Sequence, residues 1–514
     1  MKRLIQIVLL SSLLITWTLY GQEKLNYVVV DATNPAGSIN RNIYGQFSEH
    51  LGHCIYQGIW VGEKSSIPNT RGMRNDVIQA LKEIQVPVLR WPGGCFADEY
   101  HWKSGIGPRD ARPQMINTNW GGVTEDNSFG THEFLDFCEL IGAEPYISMN
   151  VGSGTVEEAS QWIEYINSNN ESPMTKLRKE NGRENPWNIK YVGIGNEPWG
   201  CGGEMRAEYY ADKFREYSVF CKNYGNNKLF RIAAGYNTPA ETEILMKIIG
   251  HKMDGMSLHY YTVRNWNDKG SATKFSTDDY FTTMNLCLKL DDQIKMHSAV
   301  MDKYDPEKKI ALIVDEWGNW FDVEPNTNPG FLYQQNTLRD ALSAATSLNI
   351  LNNHCDRVKM ANIAQMVNVL QALILTRDKE LVLTPTYYVF KMFKVHQDAS
   401  LLPIQLSSNT YSNGTENLNA LNVSASVDVN GKIHITIVNI DPVNEQKVEC
   451  KLNGLSKPTG TGKMITAENL TDYNDFAVGE KVNIKDFTGF NFSKNTVNMN
   501  IPAKSVICME INSK

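Results

Sequence analysis

The chain reads as an α/β protein: a (β/α)8 barrel of the TIM type followed by a C-terminal β-sandwich of jelly-roll character. Two observations predict this. Between residues 41 and 395, eight short apolar runs alternate with longer amphipathic stretches, and from residue 396 the pattern changes to strict apolar/polar alternation. The eight runs cover 42–47, 86–91, 144–151, 189–195, 229–235, 255–260, 310–315 and 359–366. Each is rich in Val, Ile, Leu or Tyr and is followed by Gly, Pro or Asn, the composition of a strand buried on both faces. The stretches 74–84, 132–141, 157–168, 204–224 and 338–354 carry apolar residues at helical spacing. Eight strands alternating with helices imply a closed parallel barrel.

Beyond the barrel, Leu421, Val423, Ala425 and Val427 alternate with polar residues, as do Ile433, Ile435 and Ile437. Asn430-Gly431 stands between the two sets, a strong hairpin signal. Further runs at 463–467, 482–484 and 497–511 extend the all-β texture to the C-terminus. The strand-like run 27–32 precedes the barrel and is expected to add a strand to the sandwich, so residues 22–40 are assigned to that module. No low-complexity linker separates the two parts, which predicts that they pack together.

Residues 1–21 are read as a signal peptide: Lys2 and Arg3, then a short apolar run, then Gly21 before polar residues. Export to the periplasm or the outside follows from that reading. The run is short for a spanning helix, and no later segment is apolar enough, so no membrane partner is expected of the mature chain. A net charge of -7 supplies no basic footprint for nucleic acid. The nine cysteines are odd in number and form no CxxC pair, so neither a disulfide framework nor a zinc site is expected to define the fold. One or two bridges stay open, without an assignment.

Catalytic groups of such barrels emerge at the C-terminal ends of the strands. The fourth run ends in Asn196-Glu197-Pro198 and the seventh in Asp315-Glu316-Trp317. Either glutamate alone would be an ordinary solvated carboxylate. Together, on one rim of one barrel, they form the opposed pair that glycosidic cleavage needs: one protonates the leaving oxygen, the other attacks the anomeric carbon. Asn-Glu at strand four with a glutamate at strand seven resembles the large clan of retaining hydrolases built on this barrel.

The resemblance narrows with Asn42-Ile-Tyr-Gly-Gln-Phe-Ser-Glu-His-Leu-Gly52, Leu89-Arg-Trp-Pro-Gly-Gly94, His101-Trp102, Gly105-Ile-Gly-Pro108 and Val314-Asp-Glu-Trp317. These motifs resemble glycoside hydrolase family 51, whose members are mainly α-L-arabinofuranosidases. The resemblance implies an exo-acting enzyme that releases terminal arabinofuranosyl groups from arabinan- or arabinoxylan-type glycans by retaining double displacement, with no metal or other cofactor. It also implies Glu197 as acid/base and Glu316 as nucleophile. Asn196, Glu49 and Gln365 would contact the sugar, Arg90 would pair with the nucleophile, and His259 and Tyr261 would line the pocket, Tyr261 bonded to Glu316. Trp320 and Trp102 are the expected hydrophobic walls, and the family often forms homo-oligomers. One departure stands out: many members carry Asn after the Gly-Gly of strand two, where this chain has Cys95, which cannot make the same hydrogen bonds.

Rival readings are an endoglucanase or xylosidase on the same machinery and a non-catalytic glycan-binding protein. A metal hydrolase is prompted only by Glu49, His50 and His53, whose spacing is not that of HExxH. No Gly-x-Ser-x-Gly elbow marks a serine hydrolase.

Overall fold

In the computed structural model, which describes residues 25–512, the apolar runs become eight parallel strands that close on themselves. They are β1 (Gly45–Phe47), β2 (Val88–Trp91), β3 (Glu144–Met149), β4 (Tyr191–Ile194), β5 (Phe230–Ala233), β6 (Gly255–Thr262), β7 (Ala311–Asn319) and β8 (Val358–Ile363). Each pairs with the next, and β8 returns to β1 through Asn362 and Ile363. The interior is filled by Val88, Tyr146, Tyr191, Ile232, Ala311, Ile313 and Met360, so the barrel is a packed core and not a channel.

The first run is shorter as a strand than its apolar pattern suggests. The Asn40 side chain accepts a hydrogen bond from the Asn42 amide and draws Arg41–Tyr44 into a 3-10 turn. Asn42 then closes the barrel floor by donating to Tyr191 Oη at 2.9 Å.

The helices start where local chemistry starts them. Thr238 and Thr384 each accept an amide bond one turn into their helix and are each followed by Pro. Ser276 and Asp279 form a reciprocal capping box at the head of the 28-residue helix Thr277–Tyr304.

One irregularity positions the chemistry. Along β7, Ile313 faces the barrel interior and Val314 faces the surrounding helices. Ser257 pairs with Ile313, but His259 pairs with Glu316, so β7 carries one extra residue against β6. Simple alternation would point Glu316 outward with Val314. The bulge returns it to the mouth, and Asp315 and Glu316 both face inward.

The alternating C-terminal segments form two sheets. In one, Ile404–Ser407, Asn26–Asp31, Gln446–Asn453, Thr496–Ile501 and Phe490–Ser493 are neighbours. Asn26–Asp31 lies parallel to one partner and antiparallel to the other, inserted between strands more than 370 residues away in sequence. The second sheet holds the hairpin Leu421–Val427/Ile433–Asn439, with Gly431 at φ +77° in its turn.

The helix Leu338–Asn353 joins the two parts. Every residue from Leu338 to Asn352 is buried, because the barrel covers one side and the sandwich the other. The side chain of Asn349 is matched across the contact. Asn349 Nδ2 donates to Asn422 Oδ1 at 2.9 Å, and Thr436 Oγ1 donates to Asn349 Oδ1 at 2.6 Å. Arg339 lies between the rings of Phe275 and Phe321, and burial lowers its guanidinium to about 10.

Candidate active site

The C-terminal mouth of the barrel opens into a cavity of about 560 Å3. Of the residues expected there, Glu49, Cys95, Glu197, His259, Tyr261, Glu316, Trp320 and Gln365 line it. Arg90 and Asn196 lie just beneath, buried and touching it through Glu316 and each other.

Arg90 organises the floor. One guanidinium nitrogen donates to Glu316 Oε1 at 2.7 Å, the other to Asn196 Oδ1 at 2.7 Å, and Nε to Ser148 Oγ at 3.1 Å. The aromatic rings of Phe47 and Tyr146 flank the cation. Tyr261 Oη donates to the other oxygen of Glu316 at 2.7 Å, so both oxygens of that carboxylate are held. The glycines of the second-strand motif are required by these contacts. A Cβ on Gly94 would stand 2.7 Å from Glu316 Oε1, and one on Gly93 would stand 2.6 Å from Glu49 Cγ.

Glu197 follows β4 after Gly195 and has φ +35°, a conformation disfavoured for a side chain of its size. The turn behind it supplies support: the amides of Gly200 and Gly202 donate to its carbonyl at 2.8 and 3.1 Å. A disulfide between Cys95 and Cys201 ties the same turn to the loop after β2. Cys95 is therefore a structural tether beside the acid/base candidate. The other seven cysteines are buried and free.

His259 reaches across from β6. Its Nδ1 is 2.8 Å from Glu197 Oε1, and one ligand atom each of Glu197, His259 and Glu316 lie within 4.8 Å of one another. Burial alone would lower the imidazole, but Glu316, Asp315 and Glu197 outweigh it and hold it up at about 10.

Glu49 has every oxygen occupied. Oε1 accepts from the amides of Gly94 and Phe96 and from Trp120 Nε1, and Oε2 accepts from Gln365 Nε2 at 2.8 Å. Burial, reinforced by the charge of Glu316, still pushes it up to about 7.

Trp102 is a correction. Its indole N–H donates to the Glu158 carbonyl and its ring stacks on Trp162, 1 % exposed. It packs helix Val156–Asn167 and is absent from the cavity wall. Trp320 does form wall, edge-on to Tyr261 and to Trp266.

Sequence reasoning missed Trp120, Trp199 and Trp266 around the mouth and Asp315 beneath it. Asp315 stood in a motif already singled out, beside the nucleophile candidate. The tryptophans carried no signal that separates a rim from a core. His50, the prompt for a metal site, stacks on Phe96 and Tyr100 away from the cavity.

Models of the α-L-arabinofuranosidase 1 domain and the α-L-arabinofuranosidase C-terminal domain match residues 80–279 and 315–505. An intracellular exo-α-L-arabinofuranosidase of Bacteroides ovatus is 54% identical, across 95% of this chain and 96% of its own. The crystal structure of the family 51 arabinofuranosidase from Xanthomonas axonopodis pv. citri superposes with a TM-score of 0.94 at 46% identity, covering 95% of this chain and 100% of that one. The arabinose complex of the Thermotoga maritima α-L-arabinofuranosidase gives 0.84 at 32% identity, covering 94% and 99%.

The Bacteroides relative, named intracellular, overturns the expectation of export. The N-terminal run behind that expectation lies outside the described residues, and a short apolar run next to two basic residues is not specific enough to outweigh the relative. Among the described residues no helix is long and apolar enough to cross a membrane. The matching domains, the identity over nearly the whole chain and the shared barrel establish that this chain belongs to the α-L-arabinofuranosidases of glycoside hydrolase family 51.

Proposed function

We propose that this chain releases terminal α-L-arabinofuranosyl groups from arabinan- or arabinoxylan-type glycans by retaining double displacement, with Glu316 as nucleophile and Glu197 as acid/base. The observation that carries the reading is the spacing: an oxygen of each carboxyl lies within 4.8 Å of the other, on the rim of one cavity. Retaining enzymes hold their carboxyls about 5–5.5 Å apart, whereas inverting ones leave about 6.5–9.5 Å for a water.

Arg90 and Tyr261 each donate to one oxygen of Glu316 and orient it for attack on the anomeric carbon. Glu197 protonates the departing oxygen as the glycosyl–Glu316 bond forms, then takes a proton from the water that breaks that bond. Glu49 and Gln365, already joined, are placed to hold sugar hydroxyls, and Asn196 lies beside the nucleophile for the 2-hydroxyl. Self-association into a homo-oligomer belongs to the same reading and is checked by light scattering.

The test is hydrolysis of an aryl α-L-arabinofuranoside with the first-formed anomer followed by NMR. A retained anomer supports the assignment. An inverted product, or turnover confined to glucans or xylosides, would overturn it.

A further inference from the structure

Asp315 is a fourth carboxyl at this site, and the reaction as derived gives it no task. It is fully buried, and the bulge in β7 points it inward together with Glu316. Its oxygens accept from Tyr146 Oη at 2.7 Å and from Ser257 Oγ, and Arg90 Nε stands 3.7 Å away. On its remaining side, 3.4 Å from Oδ1, is His259 Nε2.

His259 therefore lies between carboxyls on both ring nitrogens. Nε2 faces Asp315, while Nδ1 faces Glu197 Oε1 at 2.8 Å and Glu316 Oε2 at 3.6 Å. We infer that Asp315 is a positioning residue: it keeps both nitrogens of His259 protonated, so that Nδ1–H occupies Glu197 Oε1 and the acid proton of Glu197 is confined to Oε2. This rests on the reading of Glu197 as the acid/base.

Charge counting favours that state. With Asp315 and Glu316 ionised, Arg90 and an imidazolium at His259 balance them. A neutral His259 would keep the proton on Nε2, opposite Asp315, and turn a lone pair on Nδ1 towards Glu197. The acid proton would then be held by the imidazole and not offered to the leaving oxygen. The other oxygen of Glu197 is suited to that task. Oε2 lies 3.6 Å from Cys201 Sγ, a disulfide sulfur with no hydrogen to donate. The direction of titration agrees. Burial would raise the Asp315 carboxyl, yet Arg90 and His259 hold it well below the ordinary range, while the surrounding carboxylates raise His259. The remaining titratable neighbours are Tyr261, bound to Glu316, and Glu49, which lies against Glu316 through its charge.

Two measurements decide the matter. In 15N NMR of the wild-type protein at pH 7, with the His259 signals assigned by their loss in H259Q, both ring nitrogens are expected to be protonated. An unprotonated Nδ1 would overturn the inference. In D315N, kcat for an alkyl arabinofuranoside, which needs acid assistance, should fall roughly 10- to 100-fold more than kcat for a dinitrophenyl one. The alkaline limb of kcat/KM should also move to lower pH. Equal losses for both substrates with an unmoved alkaline limb would show a merely structural role and sink the proposal. If D315N does not fold, the wild-type NMR result decides. E197Q separates the two readings, because it must itself show the leaving-group dependence. If it does not, the acid/base assignment fails, while the protonation state of His259 is still read directly.

Discussion

His259 and His396 are both buried, and each has partners on both ring nitrogens, but they are driven in opposite directions. His396 lies between barrel and sandwich, with Nδ1 2.7 Å from Ser426 Oγ and Nε2 3.1 Å from Thr436 Oγ1. Hydroxyls satisfy a neutral ring, so burial, helped slightly by the charge of His434, lowers it to about 3. His259 is as enclosed, but its partners are carboxylates, and they raise it to about 10. Desolvation is common to both places, and the sign of the neighbouring charge decides. The interface surrounds the His396 ring with neutral hydroxyls. The barrel mouth instead gathers an excess of carboxylates over cations, which is how burial is turned into reactivity there.

The contrast can be broken at several points. The largest effect is expected from E316A, which removes the attacking group: kcat on an aryl arabinofuranoside should fall on the order of 10^4-fold or more, with the thermal midpoint nearly unchanged. E197Q should cost about 10^2- to 10^4-fold on poorly activated substrates and much less on dinitrophenyl ones. G94A comes next. Its added Cβ meets Glu316 Oε1 at 2.7 Å and must displace the nucleophile, so kcat should drop roughly 10- to 100-fold while circular dichroism stays native.

The interface predictions concern stability alone. His396 is held below the ordinary value of about 6.5, so the unfolded chain binds its proton first as pH falls. The stability it contributes is complete above about pH 6.5 and is lost progressively towards pH 3. H396N should therefore remove one proton, about 1.4 kcal/mol per pH unit, from the slope of unfolding free energy between pH 6 and 4. Denaturant titrations at several pH values read this directly. N349A, the smallest change, removes the amide that bonds Thr436 Oγ1 and Asn422 Oδ1 across the interface and should cost about 1–3 kcal/mol with kcat unaltered.

The two regions also differ in how much of them was legible beforehand. Glu197 and Glu316 could be read because barrel strands are short, apolar and end abruptly, which marks what comes next. Trp102 could not be separated from Trp320 by sequence, since a tryptophan wall and a tryptophan core have the same composition. The partner of its N–H, the Glu158 carbonyl, and its stacking on Trp162 show that Trp102 is core. Cys95 looked like a lost sugar contact until the fold brought Cys201 beside it across 106 residues. The N-terminal run suggested export, and it was a relative's name, not the fold, that corrected this.

The sequence by itself determined the alternation that closes a (β/α)8 barrel, the change to a sandwich, and the two glutamates at the ends of strands four and seven. These are local properties: periodicity, turn residues and strand ends are written in neighbouring positions. The tertiary structure alone decided that Asp315 joins Glu316 in the mouth, that His259 stands between carboxyls while His396 stands between hydroxyls, and that a disulfide braces the turn of Glu197. Each depends on which distant side chains share a buried space. The charge a buried group carries is set by that company, and no single segment of the chain contains it.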